Sequence, residues 1–83
     1  MTARREILEA ARDLTARGVT PFAPRDIVAE LHRRGTRYPD STIQTHIVSA
    51  MCIDAPDNHG VTWPDLRRVG HGQYVLAPTA GQR

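Results

Sequence analysis

The 83-residue sequence has no lysine, a single cysteine, one tryptophan, one phenylalanine and no long apolar run. Each shortage removes a class of function. Cys52 alone cannot close an internal disulfide, so this is not a disulfide-stapled scaffold, and a reducing compartment is expected. A membrane helix needs about 18 consecutive apolar residues, and the opening segment Met1 to Ala11 is too charged for a secretory signal. A soluble, cytoplasmic protein with no membrane partner is therefore expected. A chain this short makes one small core and buries only about 60% of the surface its unfolded form exposes, which leaves no room for a deep, water-excluding active site. Ser41 and Ser49 have no evident base, and Asp54 and Asp57 fall in a loop without a pocket, so no catalysis is expected. His46, Cys52, Asp54, Asp57 and His59 include metal-ligand types, but no Cys-x2-Cys or His-x3-His pair fixes two of them together. Neither metal nor cofactor is expected.

What is present is arginine. All eleven basic residues are arginine against nine acidic ones, for a formal net charge of +2. The guanidinium fork suits phosphates and guanine edges, although a GC-rich coding sequence produces the same bias. Placement says more than the total. Arg33, Arg34 and Arg37 face only Asp40 between positions 33 and 49, and Arg67 and Arg68 have no acid after Asp65. Asp54, Asp57 and Asp65 make the intervening stretch acidic.

Local patterns divide the chain into short elements. Ile7, Leu8, Ala11 and Leu14 recur at helical spacing between Thr2 and Arg17, with Thr2 as a cap and Gly18 as the stop. Val19-Thr20-Pro21-Phe22 suits a short strand with Phe22 as a core anchor. Pro24 fits the first turn of a second helix, Asp26 complements its positive end, Ile27, Val28 and Leu31 form its buried face, and Gly35 ends it. Ser41-Thr42-Ile43-Gln44 matches a capping box that would start a third helix over about 41–52. Ile43, Ile47, Ala50 and Met51 share one face of it, leaving Thr42, Gln44, Thr45 and Ser49 outward. That outer face is polar and almost uncharged, which suits a surface that reads hydrogen-bonding groups better than a solvated one. After a loop from Ile53 to Pro64, with a short strand around Val61-Thr62-Trp63, come two strand-like runs, Leu66-Arg67-Arg68-Val69 and Gln73-Tyr74-Val75-Leu76. Gly70-His71-Gly72 joins them with the positive backbone angles of a tight hairpin. Residues 78–83 read as a flexible tail.

The order is therefore α-β-α-α-β-β, mainly α with a small β-hairpin, in one domain over 1–77. Phe22-Ala23-Pro24-Arg25-Asp26-Ile27-Val28, Tyr38-Pro39-Asp40-Ser41-Thr42-Ile43-Gln44-Thr45-His46-Ile47 and Asp65-Leu66-Arg67-Arg68-Val69-Gly70-His71-Gly72-Gln73-Tyr74 carry a resemblance. Over residues 2 to 77 the chain resembles small bacterial winged helix-turn-helix domains. The resemblance implies double-stranded DNA binding and a role in transcription regulation or as a DNA-recognition module. In that geometry Thr42, Gln44 and Thr45 of the third helix face base edges, Ser49 lies on the same DNA-binding face, and Arg37 and Ser41 hold phosphates. Arg67, Arg68 and His71 form a basic wing over about 66–76 that reaches the neighbouring backbone or minor groove. A domain this small reads few base pairs, so a homodimer or a tethered partner domain would supply further specificity. Winged helices also serve as protein-interaction modules in larger assemblies, and that is the alternative reading.

Overall fold

The computed structural model describes residues 2–52 and 63–81. Asp54, Asp57, His59 and most of the strand expected around Val61-Thr62-Trp63 lie outside the described residues. The chain forms α1 (Ala3–Ala16), α2 (Pro24–Arg33), α3 (Asp40–Thr45) running on into a π-helical turn (His46–Ala50), then β1 (Leu66–Gly70) and β2 (Gln73–Leu76). Among the described residues no helix is long and apolar enough to cross a membrane.

The helix boundaries follow from local chemistry. The Thr2 hydroxyl accepts the Arg5 amide at 3.2 Å, and α1 closes where Gly18 takes φ 84° and the Val19 amide returns to the Leu14 carbonyl at 2.8 Å. At the head of α2 Pro24 lacks a donor that would be unpaired there anyway, and the Asp26 carboxylate accepts the Ala23 amide at 2.8 Å. Ile7, Leu8, Ala11 and Leu14 of α1 pack with Ile27, Val28 and Leu31 of α2 and Ile43, Ile47 and Met51 after them. Fully burying one such side chain contributes about 1.5–3 kcal/mol, so these stripes carry most of the assembly.

Four local expectations are corrected. The capping box at Ser41 does not form: the third helix begins one residue earlier, Pro39 is its cap residue, and no side chain caps it. Pro39 is held extended at φ −70° and ψ 158°, so Ser41 is already inside the first turn, where its hydroxyl is out of place for a cap. The strand at Val19–Phe22 shrinks to one antiparallel bridge between Phe22 and Tyr74, with reciprocal amide–carbonyl bonds of 2.8 Å. Pro21 has no amide to extend it. In the hairpin only Gly72 has a positive φ, 67°, while Gly70 belongs to β1. The register passes from Arg68↔Tyr74 to Gly70↔Gln73, so Val69 bulges out unpaired. Finally, residues 78–81 are not loose: the Thr79 hydroxyl donates to the Pro64 carbonyl at 2.7 Å and the Gly81 amide to Asp65 at 2.8 Å.

The hairpin is fastened at both ends. Leu66 and Asp65 donate their amides to the Met51 carbonyl, and Trp63 donates to that of Ala50, so the base of β1 hangs from the end of the third helix. Tyr74, facing Phe22, pins the other strand to the segment before α2.

Candidate nucleic-acid interface

The outer face of the third helix is built as its sequence pattern predicts. Ile43 and Ile47 are buried, while Ser41, Gln44 and Thr45 are exposed and Thr42 and Ser49 are half-buried. Without the capping box the Gln44 side chain is not consumed at the helix start. Among the described residues none of the Ser41, Thr42, Gln44, Thr45 and Ser49 side chains makes an internal hydrogen bond. Ser41, Thr42, Thr45 and His46 border a shallow hollow on this face. The His46 Nδ1–H donates to the Thr42 carbonyl at 3.0 Å, which fixes the ring against its own helix.

The hairpin presents Arg67, Arg68 and His71 to solvent. The Arg68 Nε–H donates to the Gly70 carbonyl at 3.2 Å, so its guanidinium is oriented across the bulge. Burial pushes the Tyr74 phenol above its ordinary pKa, with Cys52 adding to the rise and the positive charge of Arg68 opposing it. The phenol therefore stays neutral beneath the strand and takes no charge from the surface above it.

One concavity joins these pieces. Pro21, Phe22, Ala23, Pro24, Arg25 and Asp26 form one side, and Gln44 of α3 with His71, Gly72 and Gln73 of the hairpin tip form the rest. Gln44 and His71, both expected contact residues, thus share a cleft. Arg37 does not join them. It borders a separate hollow beside Glu6 and Glu9 of α1, where the Thr36 hydroxyl donates to Glu6 at 2.6 Å.

The charge map expected from the sequence changes most. Glu30 is buried at the end of α2 and accepts from Arg17 at 2.9 Å, Arg34 at 2.8 Å and Arg33 at 2.5 Å. Arg34 also pairs with Asp13. The Arg34 and Arg17 hydrogen bonds chiefly, with help from Arg33 and against the pull of burial, hold the Glu30 carboxyl down at about 2. Arg33 and Arg34 are therefore engaged by Glu30, and a docking surface would compete with that carboxylate for them. Asp65, counted as part of an acidic loop, is completely buried and bonded by Arg4 through Nε at 2.8 Å and Nη2 at 2.9 Å. By contrast, among the described residues Arg25, Arg37 and Arg67 have no carboxylate partner.

Arg25 and Gln73 were missed by the sequence reading. A signal for Arg25 existed: a cation in the first turn of a helix opposes the helix dipole, so its presence there asks for another reason. Gln73 gave none, because only the hairpin's placement against α2 brings it to the cleft.

Residues 3–76 match the model of a domain of unknown function, DUF7669, and the chain belongs to that family. No curated protein and no solved structure matches.

Proposed function

We propose that this DUF7669 domain binds double-stranded DNA as a winged helix-turn-helix, with the third helix in the major groove and the hairpin as the wing. The observation that carries the reading is the shared cleft: Gln44 of the helix and His71 of the hairpin tip line one concavity, beside an uncommitted polar helix face. Gln44 is suited to the paired edge of adenine, and Thr42 and Thr45 to a thymine methyl or a base acceptor. Ser41, Arg67 and Arg68 are suited to phosphates, which position the domain without specifying sequence. Arg37, beside α1, is left out of this surface, and Arg33 and Arg34 are engaged by Glu30. The arrangement fits a small intracellular regulator or recognition module, with a second copy or a tethered domain to extend the site.

The test is a fluorescence anisotropy titration of labelled mixed-sequence duplex at two salt concentrations. Affinity falls steeply with salt, because bound phosphates release counterions. Arg67→Ala weakens binding about equally on all sequences and reduces the salt slope by about 1, whereas Thr45→Ala costs about 1–3 kcal/mol at particular base pairs only. A protein that ignores duplex even at low salt is not a DNA-binding domain. A second reading, a protein-interaction module, draws on Val48 of the π-helical turn and Val69 of the bulge, which are 43% and 49% exposed on the same two elements. Under that reading Val48→Asp abolishes partner capture and duplex binding is absent.

A further inference from the structure

We infer that the cleft between the head of α2 and the hairpin tip is a clamp for one phosphodiester strand, with Arg25 on one side and His71 on the other. The inference rests on the DNA reading above and adds a site, its ligand chemistry and a residue, Arg25, outside the expected contact set. The cleft is formed by three separate elements: Pro21–Asp26, Gln44 of α3 and His71–Gln73. Arg25, Gln44, His71 and Gln73 are all exposed, and among the described residues none has an internal partner for its side chain. Elsewhere the arginines around Glu30 are consumed by the fold. Four side chains able to donate hydrogen bonds, left unused around one concavity, match the needs of a phosphate and its two neighbouring sugars.

The helix start contributes little to this. Pro24 has no amide hydrogen, the Ala23 amide is taken by the Asp26 carboxylate, and the Asp26 amide returns to the Ala23 carbonyl at 2.9 Å. The side chains are the donors. Pro21 and Pro24 stiffen one wall, and Gly72 leaves the other open, since a Cβ there would meet nothing within 4 Å. The charged groups that line the cleft with His71 are Arg25 and Asp26 from α2, and Gln44 of α3 and Gln73 of β2 complete its polar lining. The Asp26 carboxylate already accepts from the Ala23 amide, so a strand in the cleft meets Arg25 as its cation and the His71 imidazole as a hydrogen-bond donor.

The experiment titrates the full chain with labelled mixed-sequence duplex across salt, using wild type, Arg25→Ala, Arg25→Lys, His71→Ala and His71→Gln. Arg25→Ala weakens binding about tenfold on every sequence and lowers the salt slope by about one phosphate, and Arg25→Lys recovers the slope. His71→Ala weakens binding on every sequence, and His71→Gln, which keeps a hydrogen-bond donor, weakens it less. Melting temperatures of all variants stay at the wild-type value, because neither side chain is bonded within the protein. If wild type binds and the variants match it in affinity and slope, the clamp is wrong and the DNA reading stands. If wild type does not bind, both fall.

Discussion

Asp65 has no exposed surface, yet it is ionisable and follows a proline at the edge of a loop. It is tolerated there because three donors converge on it: Arg4 through two nitrogens, and the Gly81 amide. Arg4 in turn lies over the Trp63 ring, 4.9 Å from its centroid, and the hydrogen bond to Asp65 raises the guanidinium pKa further. Removing one partner of such a pair leaves a buried charge uncompensated, which costs about 3–5 kcal/mol. Arg4→Ala, which strands the buried Asp65 carboxylate, is therefore expected to lose that much in a urea titration, a large share of what a small domain has, while Asp65→Asn, which keeps an acceptor oxygen and removes the charge, loses less. The partners are 61 positions apart in the chain, so no local window reveals them. Ser41 illustrates the opposite error. Its spacing to Gln44 fits a capping box in every local respect, but the chain enters the helix one residue sooner, and the two side chains are left for other uses.

At the level of elements, α1 and α2 are joined on their outer edge by Glu30 of α2, which draws in Arg17 from beyond α1 and Arg33 and Arg34 from its own end. Arg34 extends the network to Asp13 of α1. The Glu30 carboxyl at about 2 lies below its unfolded value of 4.5, so the folded state binds this proton less readily than the unfolded one. Its contribution is complete above about pH 4.5 and is lost as pH falls toward 2. The partners are partly exposed and screened, so the loss is on the order of 2 kcal/mol rather than the full Coulombic figure. Urea midpoints at pH 5.5 and pH 2.5 should fall less for Glu30→Gln than for wild type; equal falls would show that Glu30 does not govern this range. The apolar stripes of these helices were legible because their period is set by the helix itself. The Glu30 pairs with Arg33 and Arg34 sit at legible helical spacing, but its burial and its bond to Arg17 were not legible, since they depend on how the helices cross. The third helix adds a subtler case: the Met51 amide reaches back to the His46 carbonyl at 2.8 Å, a wide turn that keeps Ile43, Ile47 and Met51 buried at four-residue spacing.

For the whole molecule, the last described residues close the structure. Ala80 packs against the core, Thr79 bonds Pro64, and Gly81, at φ 84°, donates to the carboxylate that also holds Arg4. Gly81→Pro removes that donor and cannot take that φ, so it is expected to cost about 1–3 kcal/mol, seen as a lower melting temperature with the hairpin's own register intact. An unchanged melting temperature would mean that the closing turn is only resting on the surface. Composition and periodicity determined a small, mainly helical domain with one hairpin, the identity of its core residues and the polar face of its third helix, because those features depend on neighbours within a few positions. Which long-range partners the arginines take was decided only in three dimensions. Helix spacing alone puts Arg33 and Arg34 on Glu30, whereas only packing brings Arg4 to Asp65, Arg17 to Glu30 and Arg34 to Asp13, and leaves Arg25 at the mouth of the cleft.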